Sequence, residues 1–111
     1  MRLFSRTEKP VETVSPVFVR AATPTDAAEV VRLAQSLSMA DGGRPSRLTE
    51  ENYRQDGFGP DPAFAALVAE IEGRIVGYAL YFSGYDTDRA TRGVYLSDLY
   101  VDLAWRRRGV G

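Results

Sequence analysis

One junction constrains the fold of this chain more than any other. A strand-like run, Val94-Tyr95-Leu96-Ser97-Asp98-Leu99-Tyr100-Val101, passes through Asp102-Leu103-Ala104-Trp105 into Arg106-Arg107-Arg108-Gly109-Val110-Gly111. An apolar strand needs neighbouring strands, and a phosphate site needs backbone N–H groups converging at the positive end of a helix. Glycines at 109 and 111 remove side chains that would block an anion's approach, and the arginines add charge-assisted bonds to phosphate oxygens. Taken alone, the hexapeptide also suits a basic tail with incidental glycines. Its place directly behind a buried-looking strand favours the phosphate-binding reading.

Composition narrows the rest. At 111 residues the chain forms at most one domain. Hydrophobic residues make up 44% and aromatics 11%, enough for a core rather than a disordered chain. Fourteen basic residues oppose fifteen acidic ones, a net charge of −1, so no overall basic field favours nucleic acid or an anionic membrane. Without cysteine or histidine there is no disulfide, no thiol nucleophile, no imidazole base and no imidazole metal ligand. Met1 to Arg6 has a basic start but no apolar stretch behind it, and no run approaches the roughly 20 apolar residues of a membrane span. The expectation is a soluble cytoplasmic protein without metal, membrane or nucleic-acid partners.

Residues 1–16 follow neither structural period and are expected to form a flexible extension. Val17 to Ala21 reads as a first strand. Thr23-Pro24-Thr25-Asp26 opens a helix, with Thr23 as cap, Pro24 in the first turn and Asp26 at the capping-box position. Ala27, Val30, Val31, Ala34 and Leu37 follow at helical spacing with Leu33 beside them, until Asp41-Gly42-Gly43-Arg44-Pro45 breaks the run. Thr49 caps a shorter helix that ends near Asp56-Gly57-Phe58-Gly59-Pro60. Phe64 to Ile71 and Ile75 to Ser83 read as a hairpin about Glu72-Gly73, with apolar residues on both parities, as in a strand pair covered on both faces. Gly77 marks a bulge or a close backbone approach. Tyr85 to Arg92 reads as a polar loop before the fourth strand.

Within that strand Ser97 and Asp98 are adjacent polar residues, and strict alternation points them to opposite faces. A cleft-facing carboxylate is costly unless paired, so Asp98 suits either a structural hydrogen bond or a site. Ser97 reads more simply as structural. Asp41, Glu50, Glu51, Asp56, Asp61, Asp86 and Asp88 form either ordinary solvated surface or an acidic rim that attracts a cationic amine.

Four segments carry a family resemblance. They are Val17-Phe18-Val19-Arg20-Ala21-Ala22 with the capped helix; Asp56-Gly57-Phe58-Gly59 followed by Pro62 and Phe64; Val76-Gly77-Tyr78-Ala79-Leu80-Tyr81-Phe82; and Tyr95 to Val101 leading into RRRGVG, which fits (Q/R)-x-x-G-x-(G/A). In this order, residues 17–111 resemble the N-terminal half of a GNAT-superfamily N-acetyltransferase, most like the spermidine/spermine (diamine) branch. The resemblance implies an α/β (α+β) fold of strand, two helices and three mostly antiparallel strands, reaching the start of a third helix. It implies acetyl-CoA as acyl donor, with the backbone of Leu99, Tyr100 and Val101 on the pantetheine arm and Arg106, Arg107, Arg108, Gly109, Val110 and Gly111 around the pyrophosphate. It also implies direct attack of a primary amine of a small cationic substrate on the thioester, no metal, and a homodimer for a full-length protein.

Asp98 and Ser97 are the catalytic candidates under that resemblance. The branch usually has a glutamate where this chain has Ser97, and alternation turns Asp98 away from that position. The family's third helix, fifth strand, fourth helix and last two strands have no counterpart here, nor does the tyrosine thought to protonate the leaving thiolate. The expectation is therefore an acetyltransferase that is inactive as 111 residues alone; the alternative is a truncated, non-catalytic binding module or a decayed gene fragment.

Overall fold

The computed structural model describes residues 16–106 and 109–111, so the expected extension lies almost wholly outside the described residues, as do Arg107 and Arg108. The described chain runs β1 (Val17–Ala21), α1 (Ala27–Gly42), α2 (Glu50–Phe58), β2 (Ala65–Ile71), β3 (Arg74–Asp86) and β4 (Thr91–Val101). The four strands form one antiparallel sheet in the order β1-β2-β3-β4. This is the mixed α and β order expected from the sequence.

Local chemistry explains the boundaries. Asp26 accepts hydrogen bonds from the Thr23 N–H at 2.7 Å and the Thr23 hydroxyl at 3.1 Å, closing a 3-10 turn, Pro24–Asp26, from which α1 continues. Gly43, at φ +72°, ends α1 by donating its N–H to the Met39 carbonyl. The Thr49 hydroxyl accepts from the Asn52 N–H at 3.0 Å and opens α2. Glu72 and Gly73, both at positive φ, form the β2–β3 turn.

Both helices pack on one face of the sheet. Ala27, Val30, Leu33 and Ala34 of α1 and Tyr53 of α2 meet Ala66 and Val68 of β2 and Ile75 and Tyr78 of β3. Leu33 lies at the centre of this face and Val31 only at its margin. Tyr53 donates its hydroxyl to the Thr23 carbonyl at 2.9 Å, tying α2 to the start of the first helix; burial pushes this phenol up to about 12. On the opposite face Ala69, Ile71 and Val76 form a smaller cluster with Val17, Trp105 and Val110. The double-sided coverage expected of β2 and β3 is found at this end of the sheet.

The expected loop from Tyr85 to Arg92 is a correction. Tyr85 pairs with Arg92 and Asp86 with Thr91, so the hairpin extends and only residues 87–90 turn. Polar composition misleads here because this arm faces solvent on both sides, and the paired backbones satisfy each other without an apolar face. Asp86 fixes the turn by accepting from the Asp88 N–H at 2.9 Å and the Arg89 guanidinium at 2.8 Å.

Candidate functional site

Two register shifts shape the site. Between β2 and β3, Ala69 faces Gly77 while Glu70 faces Ile75, so Val76 is an extra residue and bulges towards the Trp105 side. A side chain on Gly77 would bring its first carbon to 2.9 Å from the Tyr100 carbonyl oxygen and 3.3 Å from Val101 Cγ2. Gly77 thus serves both purposes its position suggests: it flanks a bulge and admits the end of β4.

The second shift lies in β4. Leu80 faces Asp98 while Tyr81 faces Leu96, leaving Ser97 as the extra residue. This corrects the expectation from strict alternation. The bulge breaks the period at Ser97, Asp98 turns to the helix-covered face, and its Oδ1 accepts from the Ser97 hydroxyl at 2.8 Å. Asp98 Oδ2 accepts from the Tyr78 hydroxyl at 2.6 Å. Tyr78 is only 3% exposed, and burial, reinforced by the bond to Asp98, pushes its phenol far above the ordinary tyrosine range. Tyr78 was not singled out from the sequence; a tyrosine within the apolar VGYALYF run, whose hydroxyl needs a partner when buried, is the signal that could have found it.

Beyond the bulge, the outer edge of β4 pairs with no other strand among the described residues. The Asp102 N–H donates to the Val76 carbonyl at 2.8 Å, and Tyr100 faces Tyr78 in the same register. Residues 100 and 102 therefore turn their backbone groups inward, and Leu99 and Val101 turn theirs to the outer edge. Of the three residues assigned to the pantetheine arm, Leu99 and Val101 present backbone, whereas Tyr100 presents its ring. Arg106 folds back over this edge, its Nε donating to the Val101 carbonyl at 2.8 Å and its guanidinium lying 5.0 Å from the Tyr100 ring centre.

These groups come together. A cavity of about 390 Å³ is lined by Leu99, Tyr100, Val101, Arg106 and Gly111 with Leu37, Ala40 and Asp41 from the end of α1. A smaller one of about 150 Å³ is lined by Leu99, Tyr100, Val101, Val110 and Gly111 with Val19, Leu67 and Ala79 among others. Gly109 stands at φ +79° between Arg106 and Gly111, a conformation open to glycine. Of the scattered carboxylates only Asp41 lines either cavity; Glu50 pairs with Arg54 on α2, and Asp86 is held by Arg89 at the far tip of the hairpin. Glu50, Glu51 and Asp56 share α2, Asp86 and Asp88 share the β3–β4 turn, and Asp41 stands at the end of α1.

The charged groups at the start of α1 are structural. Arg20 forks onto Asp26 at 2.8 and 2.9 Å and reaches Glu70 at 3.5 Å. Its guanidinium, against the cost of burial, holds the Asp26 carboxyl below the usual carboxylate range.

Comparison with known proteins agrees with this architecture. The sequence model of the acetyltransferase (GNAT) family matches residues 30–111, and the chain belongs to that family. It is 35% identical over 104 residues to a thialysine N-epsilon-acetyltransferase of Bos taurus, covering 86% of this chain and 61% of that protein. It is 33% identical over 101 residues to the human spermidine/spermine N(1)-acetyltransferase-like protein 1, covering 84% of this chain and 14% of the relative. Among solved structures, a ribosomal-protein-alanine N-acetyltransferase from Brucella melitensis superposes with a TM-score of 0.67 at 23% identity, over 86% of this chain and 64% of the other. At that identity the likeness is one of fold. This chain spans about three fifths of the length of the bovine relative.

Proposed function

We propose that this chain contributes the acetyl-CoA-binding half of an N-acetyltransferase that acts on a primary amine of a small cationic, polyamine-like molecule. The supporting observation is the course of β4. Its bulge at Ser97 is followed by an outward-facing backbone edge at Leu99 and Val101, and the next turn brings Arg106 and Gly111 to the same cavity. An extended thioester arm suits such an edge, and the diphosphate of acetyl-CoA suits the turn of Arg106 and Gly109 to Gly111. The relatives' amine substrates support the choice of acceptor.

Direct transfer requires a neutral amine, whose nitrogen adds to the acetyl carbonyl carbon; the C–S bond breaks, the nitrogen sheds one proton, and the departing CoA thiolate takes up one to leave as the thiol. Ser97 and Asp98 meet at the bulge just before the β4 edge, outside the lining of both cavities. The Ser97 proton is committed to Asp98, which leaves the lone pairs of its oxygen to accept from an amine N–H. Asp98, whose carboxylate already accepts from Tyr78 and Ser97, orients the Ser97 hydroxyl. Among the described residues no further strand pairs with the outer edge of β4, and Leu99 is 53% exposed; the 111-residue chain is expected to hold acetyl-CoA weakly and to turn over no amine.

Thiol release from acetyl-CoA checks this. With spermidine, a short diamine, lysine or an aminoglycoside, the 111-residue protein is expected to match a protein-free blank. Release above the blank contradicts the inactivity of the chain alone, and the amine that elicits it identifies the acceptor.

A further inference from the structure

We propose that Arg32 is a positioning residue for the acetyl-CoA loop. From α1 it grips Asp102, where β4 gives way to the loop, and so fixes the strand edge and the glycine turn relative to each other. The proposal rests on the reading that this edge and turn receive acetyl-CoA. Arg32 lies 70 residues from Asp102 in sequence, yet donates to Asp102 Oδ2 at 3.2 Å and to the Ile75 carbonyl at 3.3 Å. Its Nε and Nη2 also hold Glu29 Oε1, at 3.1 and 3.0 Å. One guanidinium thus joins α1, the start of β3 and the end of β4.

The loop is held on its other side as well. The Asp102 carbonyl accepts from the Trp105 N–H at 2.8 Å, and Trp105 packs against the cluster of Ala69, Ile71 and Val76 on the face away from the helices. The departure from β4 is therefore set by a guanidinium on one side and an indole on the other. An isolated surface ion pair contributes little, but this one also binds a backbone carbonyl and neutralises two carboxylates that approach the same cation. Without Arg32, Glu29 and Asp102 would repel across the space it leaves, and the loop would leave the strand at a different angle. Small misplacements of groups that position a ligand have effects out of proportion to their cost in stability.

The test is acetyl-CoA titration of the ¹⁵N-labelled 111-residue protein and its variants, read from amide shifts, beside urea unfolding of each. Arg32→Ala is expected to raise Kd about fivefold, as for loss of one charge-assisted contact, with a small change in stability. Arg32→Lys recovers part of the affinity, and Arg54→Ala, which breaks an ion pair on α2, binds as the parent does. The shape-conserving Asp102→Asn weakens binding in the same direction and covers the case in which Arg32→Ala does not fold. Parent-like affinity in a folded Arg32→Ala or Asp102→Asn protein overturns the proposal while leaving the acetyl-CoA reading intact. No binding by the parent overturns the reading itself.

Discussion

Asp26 shows how much one side chain can settle in this chain. Its carboxylate, 6% exposed, caps the turn before α1 and takes both prongs of Arg20 from β1. Because the charged form is favoured in the folded protein, the folded carboxyl titrates below its unfolded value of about 3.9. Its contribution to stability is complete above the unfolded value and disappears as pH falls through it towards the folded one. Asp26→Asn is expected to lower stability near neutrality by about 1–3 kcal/mol, since Arg20 and the Thr23 N–H lose a charged acceptor. Urea unfolding from about pH 5 to about pH 2 should then show a shallower loss in the variant than in the parent; equal slopes contradict the account. The capping role was legible from the Thr23–Asp26 spacing, whereas the Arg20 fork was not, because it depends on how β1 is laid against the helix start. Ser97 and Asp98 repeat the lesson: their residue types marked them as candidates, but a bulge that sequence alternation cannot register joined them by a hydrogen bond.

Among the elements, β3 carries the most information. Its register with β2 slips at Val76, its Gly77 admits the end of β4, and its Tyr78 anchors Asp98. Gly77→Ala would force its new methyl group against the Tyr100 carbonyl and Val101, on the inner side of the edge assigned to acetyl-CoA. The expected cost is about 1–3 kcal/mol by chemical denaturation, accompanied by shifted Leu99 and Val101 amides. Unchanged stability and unchanged β4 amides would show that the close approach is not constraining. The glycine was a visible interruption of an apolar run. The polar end of the hairpin was invisible as strand because nothing buried there imposes a period on it.

Across the whole molecule, the two faces of the sheet differ. One is covered by α1 and α2; the other carries Trp105 and Val110 at one end, with Val19 and Leu99 still more than half exposed among the described residues. No described helix is long and apolar enough to cross a membrane. The family was legible because its segments are local in sequence and keep their order. The convergence of Leu37, Ala40 and Asp41 on the same cavity as Gly111 was not, since it joins residues some 70 positions apart through the packing of α1 beside β4. The central claim, that the edge of β4 and the following turn receive acetyl-CoA, is tested most directly by titrating the ¹⁵N-labelled chain with acetyl-CoA. Binding in the range of about 1 mM is expected, a strength that amide shifts resolve. The largest shifts should fall at Leu99, Val101, Gly109 and Gly111, with Tyr100 less affected and α2 and the Glu72-Gly73 turn unmoved. Shifts centred on α2 or that turn, or none in β4 at several times that concentration, would contradict it.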